Sequence, residues 1–478
     1  LELGRGQAIE VENPRSKVIN LAWPAITEMF MATLVQFVDT AMVGQLGPIA
    51  ISAISLSSSP MWLIMGIFTG VSVGTTALVA RYVGANEPTK AGEVAKQSIL
   101  LGALMAMVIT LLTLTLGQYV PKWMGAEPEV LPYATAYLKI MSLTFILHFV
   151  SFIVSGVLRG AGDTKTPMRI NVFANILNVF GNFFLIFPTR LITIGGPFNI
   201  PILGEISFPT VEFTMWGAGL GVSGAAISTA VSRGIAGVIV LFILFSGKFI
   251  VKLRIKEKLK FDLAIIKNIL SIGLPAALER VAMSSGQLFF TRIVAGLGTS
   301  MLAAHHLAIV AESLSYMPGN GFSMAATTLV GQSLGANKPD EAEKYGFETL
   351  KLGVIVMSLM GFIFFFFPHY LISIFNSDPE VIKYGSMCLR IVAFAQPFFS
   401  SAMVLSGALR GAGDTRWPLI YAFTGMWVVR LSLAVIFVYL FDLGLMGAWL
   451  AMVADLSIRG TLIFLRFKSG KWKHIKVS

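Results

Sequence analysis

Charge is the first thing this chain is short of. Of its 478 residues only 13% are Asp, Glu, Lys or Arg, against 55% that are hydrophobic. An ordinary soluble domain carries about twice that charged share, so a chain this long could not build the shell it would need to face water on every side. Cysteine is almost missing too. Cys388, alone in an apolar run, excludes an intrachain disulfide and reads as a small packed hydrophobe. Segments of about ten residues with strict apolar–polar alternation, the mark of a membrane barrel, do not occur. No cleavable signal sequence is evident, because the first apolar run lacks a small-residue cleavage site and leads straight into others. Residues 1–16 read as an N-terminal tail, loose over Leu1–Val11.

What is present is a series of apolar stretches, 99–116 and 352–367 among them. They reach the roughly 20 residues that cross hydrocarbon as a helix. The pattern predicts an all-α integral membrane protein with twelve transmembrane helices. Their expected bounds are about 17–45, 50–82, 93–119, 131–158, 167–189, 215–246, 264–297, 301–333, 344–370, 380–408, 417–441 and 444–467. Arg15, Lys17, Arg81, Lys90, Arg159, Lys165, Arg169, Lys338, Lys344, Arg410 and Arg416 all fall in one set of loops. The basic stretch 247–263 and the basic tail 468–478 fall on the same side, whereas the opposite loops offer little beyond Lys122, Arg190 and Lys383. The positive-inside rule then places both termini in the cytoplasm, with the chain multi-pass in the cell (inner) membrane. The same asymmetry accounts for the net charge of +11 without a nucleic-acid partner.

An internal repeat organises the spans. Gly156-Val-Leu-Arg-Gly-Ala-Gly-Asp-Thr164 returns as Gly407-Ala-Leu-Arg-Gly-Ala-Gly-Asp-Thr415, 251 residues on. One offset also relates Gly84-Ala-Asn86 to Gly335-Ala-Asn337, Pro128-Glu-Val130 to Pro379-Glu-Val381, and Pro24 to Pro275. The register slips only after the fifth span, where the first half carries a longer loop at about 189–212. Six spans per half is an even number, so both copies enter the membrane in the same sense. The expected fold is two six-helix bundles related by a pseudo-two-fold axis along the membrane normal. The division is an N-lobe at 17–246 (spans 1–6), a cytoplasmic basic linker at 247–263, a C-lobe at 264–467 (spans 7–12) and the tail at 468–478. Two bundles that rock about a central cavity are a transporter design.

Three motifs point elsewhere and fail. Gly160-Ala-Gly-Asp-Thr-Lys165 lacks the spacing of a phosphate loop and recurs in the equivalent turn of the second half. Gly219-Leu-Gly-Val-Ser-Gly224 matches a dinucleotide fingerprint but opens a span, where small residues serve close helix packing. With no ATPase motif in the chain, an ion gradient must drive any pumping. His305 and His306 are adjacent, hence about 100° apart on a helix, and cannot share one face. The expectation is one packed and one polar-facing histidine.

Ionisable groups inside spans are costly and therefore functional candidates. Asp39 lies in span 1, and its repeat partner is Phe290; Asn178 and Asn182 in span 5 are matched by Val429 and Leu433. The two asparagines are four residues apart, on one helix face and at a depth Asp39 can reach. A carboxylate with amide carbonyls and a hydroxyl is a hard-oxygen set suited to Na⁺, and the same carboxylate could carry a proton instead. The structural alternative is a polar tie between spans 1 and 5. In the second bundle Glu279, Glu312, Arg430 and Asp455 are expected to form a buried polar network, serving either as a substrate or proton site or as a lock. Glu28 repeats as Glu279, which points to shared architecture at that position. The 22 Met and 36 Phe also suit an adaptable cavity for amphipathic cations.

Taken together, these residues resemble the multidrug and toxic compound extrusion (MATE) family of transporters. The resemblance spans essentially the whole chain. It rests on Pro24, Val38-Asp-Thr-Ala-Met-Val-Gly44, residues 78–86 with 329–337, the doubled Leu-Arg-Gly-Ala-Gly-Asp-Thr, and Ala303-Ala-His305. It implies a two-lobed monomeric antiporter, without cofactor, that exports organic and mainly cationic compounds against H⁺ or Na⁺, with drug resistance as the outcome. It also implies that Asp39 is the coupling residue, with Asn178, Asn182 and Thr229 completing a cation site that could hold Na⁺. Some members have Asp where this chain has Asn182, so one negative charge is lost. Other members place a glutamate in span 7 where Met283 stands here, with Glu279 one turn earlier. The rival readings are a flippase of lipid-linked precursors, favoured by a strongly cationic cavity, and an intramembrane enzyme using His305, His306 and Glu312. A passive channel fits less well, since no ring of filter residues is seen.

Overall fold

Proline starts many of the helices. Pro14, Pro48, Pro88, Pro339 and Pro379 each sit in a first turn, where the missing N–H costs no hydrogen bond. A computed structural model describes residues 13–200, 204–245 and 260–475. Most of the predicted N-terminal tail and basic linker, with the last three residues of the C-terminal tail, lie outside the described residues. The first six spans are Pro14–Gly44, Pro48–Gly84, Pro88–Leu116, Leu131–Ser142 with Phe145–Gly160, Lys165–Leu185 and Gly221–Phe245. The second six are Leu263–Ala295, Thr299–Gly335, Pro339–Phe366, Pro379–Ala393 with Gln396–Gly411, Arg416–Leu440 and Gly444–Lys468.

The repeat seen in sequence is also a repeat of backbone. Asn86 and Asn337, both at the tight turn after the second span of their lobe, have φ of 60° and 57°. Asparagine tolerates this left-handed region better than other residues with a side chain. Gly162 and Gly413 occupy the same region, at 92° and 82°, in the two Gly-Ala-Gly-Asp-Thr turns. In the first of these turns the Asp163 carboxylate accepts from the Thr166 backbone N–H at 3.0 Å.

The structure corrects the expected spans in three places. Spans 4 and 10 are not continuous but bend by 55° and 60°. In span 4 the Ser142 and Thr144 hydroxyls donate to the carbonyls of Lys139 and Met141, competing with the helix ladder. In span 10 Pro397 removes a donor just past the break. Span 11 is wound as π-helix at Thr424–Arg430 and Ile436–Leu440. The stretch read as a loop near 189–212 is mostly an antiparallel hairpin, Pro188–Ile200 paired with Gly204–Ala218, and span 6 consequently starts at Gly221.

Span 1 packs on span 5, span 2 on spans 3 and 4, and span 4 on span 6; spans 7–12 repeat those pairings. Arg15 pairs with Glu348 at 3.4 Å, and Lys473 with Glu343 at 2.6 Å and Asp340 at 3.0 Å. Both described ends of the chain therefore lie beside the start of span 9, on what is here called the terminal face; the hairpin is on the far face.

Among the described residues, every hydrogen bond from lobe to lobe lies in the terminal half. Arg81 of span 2 donates to the Ala412 carbonyl at 2.8 Å and Gln332 of span 8 donates to that of Gly160 at 3.0 Å. Thr328 donates to the Arg159 carbonyl at 3.0 Å. Glycines let the backbones meet: a Cβ on Gly84 or Gly335 would lie 1.9 Å from a carbonyl oxygen of the other lobe. The same Arg81 reaches the Ile475 carbonyl at 3.1 Å, past a short turn Lys471–His474 whose Trp472 is buried and stacked on Phe467 at 4.6 Å.

Candidate functional site

Spans 1, 5 and 6 bring the first predicted set together. Asn182 donates to Asp39 Oδ1 at 2.6 Å. The amide orientation of Asn178 that satisfies both of its ends donates to Asp39 Oδ1 and Oδ2 at 3.0 and 3.1 Å. Its carbonyl then accepts from the backbone N–H and the hydroxyl of Thr229 at 3.2 and 3.0 Å. Ser228, one residue earlier, donates to the Asn178 backbone carbonyl at 2.8 Å. Asn178 and Asn182 are buried, while Asp39 and Thr229 are half-buried. The Asn182 side-chain carbonyl is a buried acceptor with no hydrogen-bond partner among the described residues. A carboxylate, an orphan carbonyl and a hydroxyl can therefore meet a small cation at modest cost, which an unfilled buried acceptor favours.

Sequence reasoning missed the basic side of this lobe. Arg233 is four residues after Thr229, hence on the same helix face, and interacts electrostatically with Asp39 and Tyr137. Its Nη1 lies 3.3 Å from His148 Nε2. Deeper toward the terminal face, Glu28 Oε1 accepts from Arg159 and from Asn171, each at 2.8 Å. The sequence signal is Ser232-Arg233-Gly234, an ionised residue in the interior of a span, but span 6 follows the register slip and has no repeat partner at the common offset.

The second lobe corrects the expected network. Arg430 and Asp455 do pair, at 2.7 Å, and Asp455 also meets Arg459 at 3.4 Å. Arg430 further reaches Gln287 at 3.4 Å. Glu279 is not in this cluster: it pairs with Arg410 at 2.8 Å, the repeat image of Glu28 with Arg159. It lies at the middle of span 7, two turns to the terminal side of Gln287, the residue of that span that Arg430 reaches. Glu312, buried, interacts electrostatically with Arg430, yet no hydrogen bond to it is seen among the described residues. Met283, standing where some family members have a glutamate, contacts Arg459 through its sulfur at 3.0 Å. The lobes thus hold more arginine at depth than the sequence reading counted.

His305 is buried between Phe290 and Trp449, at centroid distances of 5.6 and 5.7 Å, while His306 is exposed. No group of three or more His, Cys, Asp or Glu placed to hold a metal occurs among the described residues. Cys388 is buried in the second-lobe core.

Twelve spans in two repeated lobes, joined on one face and carrying polar groups inside each bundle, have the plan of a membrane transporter. The MatE family model matches residues 24–184 and again 275–436, and the chain belongs to that family. It is 32% identical over 471 residues to a probable multidrug resistance protein NorM of Thermotoga maritima, covering 97% of this chain and 94% of the relative. An uncharacterized transporter YisQ of Bacillus subtilis is 25% identical, with 95% and 94% covered. Among solved structures, an outward-facing multidrug resistance MATE family transporter of the MOP superfamily superposes with TM-score 0.83 at 24% identity, covering 98% of this chain and 100% of that one. A Pyrococcus furiosus MOP superfamily transporter, described as having a binding pocket of reverse polarity, superposes with TM-score 0.82 at 24% identity and 96% coverage of each chain. The structural likenesses speak to fold alone.

Proposed function

We propose that the chain is a secondary antiporter that exports organic, mainly cationic, compounds in exchange for H⁺ or Na⁺. One observation carries the reading: the Asp39 carboxylate is gripped by two amides in the first lobe, while the second lobe has Phe290, Val429 and Leu433 at those positions. A tie between helices could use neutral groups, without the several kcal/mol that a charge inside a span costs. The name of the Thermotoga relative supports drug export. The basic loops of the terminal face support placing both termini in the cytoplasm of a cell whose inner membrane holds the protein. In that orientation the joined terminal halves describe a state open to the outside.

Asp39, Asn178, Asn182 and Thr229 come from three different spans, so a cation bound among them acts on how those spans pack. Cation entry neutralises Asp39, loosens the amide grip, and lets spans 1 and 5 repack so that drug affinity falls on the outer side. Loss of the cation restores the grip after the lobes rock. The cation drives this only through its different affinity for the two packings. In the second lobe, Arg430 with Asp455 and Arg459 is a lock, and Glu312 is the acid left free to meet a substrate cation. The test is gradient-driven export by Asp39→Asn in proteoliposomes, with Na⁺ and pH gradients imposed separately. Undiminished export would sink the coupling role.

The arginines found at depth, Arg159, Arg233, Arg410 and Arg459 besides Arg430, favour one second reading, a flippase of lipid-linked precursors. Movement of a pyrophosphate-linked lipid at a rate matching organic-cation export would support it.

A further inference from the structure

Span 5 carries more than the two asparagines of the candidate site. Asn171, Asn175, Asn178 and Asn182 follow one another at spacings of four, three and four residues, which keeps all four on one stripe of a helix. Their repeat partners, Ala422, Met426, Val429 and Leu433, are apolar without exception. Span 1, packed against span 5, presents Glu28 and Asp39 eleven residues apart. That is three turns and about 20° of rotation, so both carboxylates face the same way about 16 Å apart along the axis. The stripe is tied to both: Asn182 donates to Asp39 at 2.6 Å, and Asn171 donates to Glu28 at 2.8 Å. Between them Asn175 is half-buried and has no hydrogen-bond partner among the described residues. A run of amides in a membrane helix is expensive unless it serves something. The second lobe folds with apolar residues at all four matching positions, on a span partly wound as π-helix, so a span in this place does not need the amides in order to fold.

We propose that the asparagine stripe is the path of the coupling cation through the first lobe, and that Glu28 is its second carboxylate station, on the terminal side. The inference rests on the coupling role of Asp39 proposed above and extends it. A cation released from Asp39 passes along the amide carbonyls, with water, to Glu28. If it is a proton, it leaves an Asp39 carboxyl oxygen and is taken up by the Glu28 carboxylate at Oε2, the oxygen not already accepting from Arg159 and Asn171, and the Arg159 guanidinium loses its anionic partner until the proton moves on. Arg159 from span 4 and Asn171 from span 5 are the groups hydrogen-bonded to that carboxylate. Glu279 with Arg410 copies the carboxylate and the arginine but has Ala422 in place of Asn171. The second lobe therefore keeps the ion pair and lacks the path.

This copy provides the control. Asn171→Ala combined with Asn175→Met gives the first lobe the residues that the second already accommodates. Export of tetraphenylphosphonium by the full chain in proteoliposomes, under imposed gradients, should fall about tenfold or more in this variant. Equilibrium binding of the same cation and the melting temperature should barely move. Undiminished export by the double variant overturns the proposal. In parallel, Glu28→Gln should abolish the coupled cation flux while Glu279→Gln retains it. Equal losses at the two positions would make the Glu28 pair merely structural and overturn the proposal as well. Asp39→Asn separates the two levels of the argument. If it is inactive while the double variant is intact, only the path falls; if it exports normally, the coupling reading falls and takes the path with it.

Discussion

The amides around Asp39 set how strongly it can hold a cation. With Asn182 in place of a second acid, the site carries one negative charge, and Na⁺ binding weakens with each charge removed. Asn182→Asp should therefore raise apparent Na⁺ affinity by about tenfold, read from the Na⁺ concentration giving half-maximal export. The Arg430–Asp455 pair makes a different prediction, because it is buried on both sides. Removing one partner leaves an uncompensated charge, so Asp455→Asn should cost about 3–5 kcal/mol of stability, measurable as a fall in melting temperature in detergent; an unchanged melting temperature would show the pair to be dispensable. Asp39, Asn178 and Asn182 were legible in the sequence because a charge or amide inside a span needs a reason. Arg159 and Arg410 were not, since a basic residue at a helix end reads as loop charge, and only packing shows each folded inward onto a glutamate of the first span of its lobe. Glu279 was misplaced for that reason.

Among the helices, the least apolar are the most informative. Seven of the described helices are long and apolar enough to cross a membrane on their own, or nine when each bent pair counts as one span. Lys165–Leu185, Leu263–Ala295 and Thr299–Gly335 complete the twelve but are more polar, and two of them carry the asparagine stripe and Glu279. The repeat at one offset made these spans legible where hydropathy alone is weak. The bends of spans 4 and 10 and the π turns of span 11 were not legible, since they depend on hydroxyl and packing contacts rather than on periodicity. The C-terminal turn is a further element that composition read only as a basic tail. Trp472→Ala should remove about 3–5 kcal/mol of local packing and raise hydrogen exchange over residues 466–475 without altering the far face. Glu343 and Asp340 raise the Lys473 pKa above its ordinary value. The contribution of this clasp is therefore fully present below the ordinary lysine value and is lost only as pH rises through the raised one, so protection there, after correction for the base-catalysed intrinsic exchange rate, should stay flat near neutrality and fall in alkali.

At the level of the whole molecule, the two lobes close against each other through positions that are copies of one another. Gly84 and Gly335 differ by the repeat offset, as do Arg81 and Gln332, and each donates into the other lobe's turn. Gly84→Val puts a side chain where a carbonyl oxygen already stands, so it should hold the terminal halves apart and halt cycling. Spin-label distances across that face would widen, and an unchanged distance with normal export would refute the claim. A contact in which each side offers the same patch is the geometry of an isologous dimer, here written into one polypeptide. A structure of that kind does not need its covalent connection to find its register. Two separately expressed halves, cut within the basic linker, should reassemble into an active exporter. The linker would then act mainly to raise the effective concentration of one half near the other.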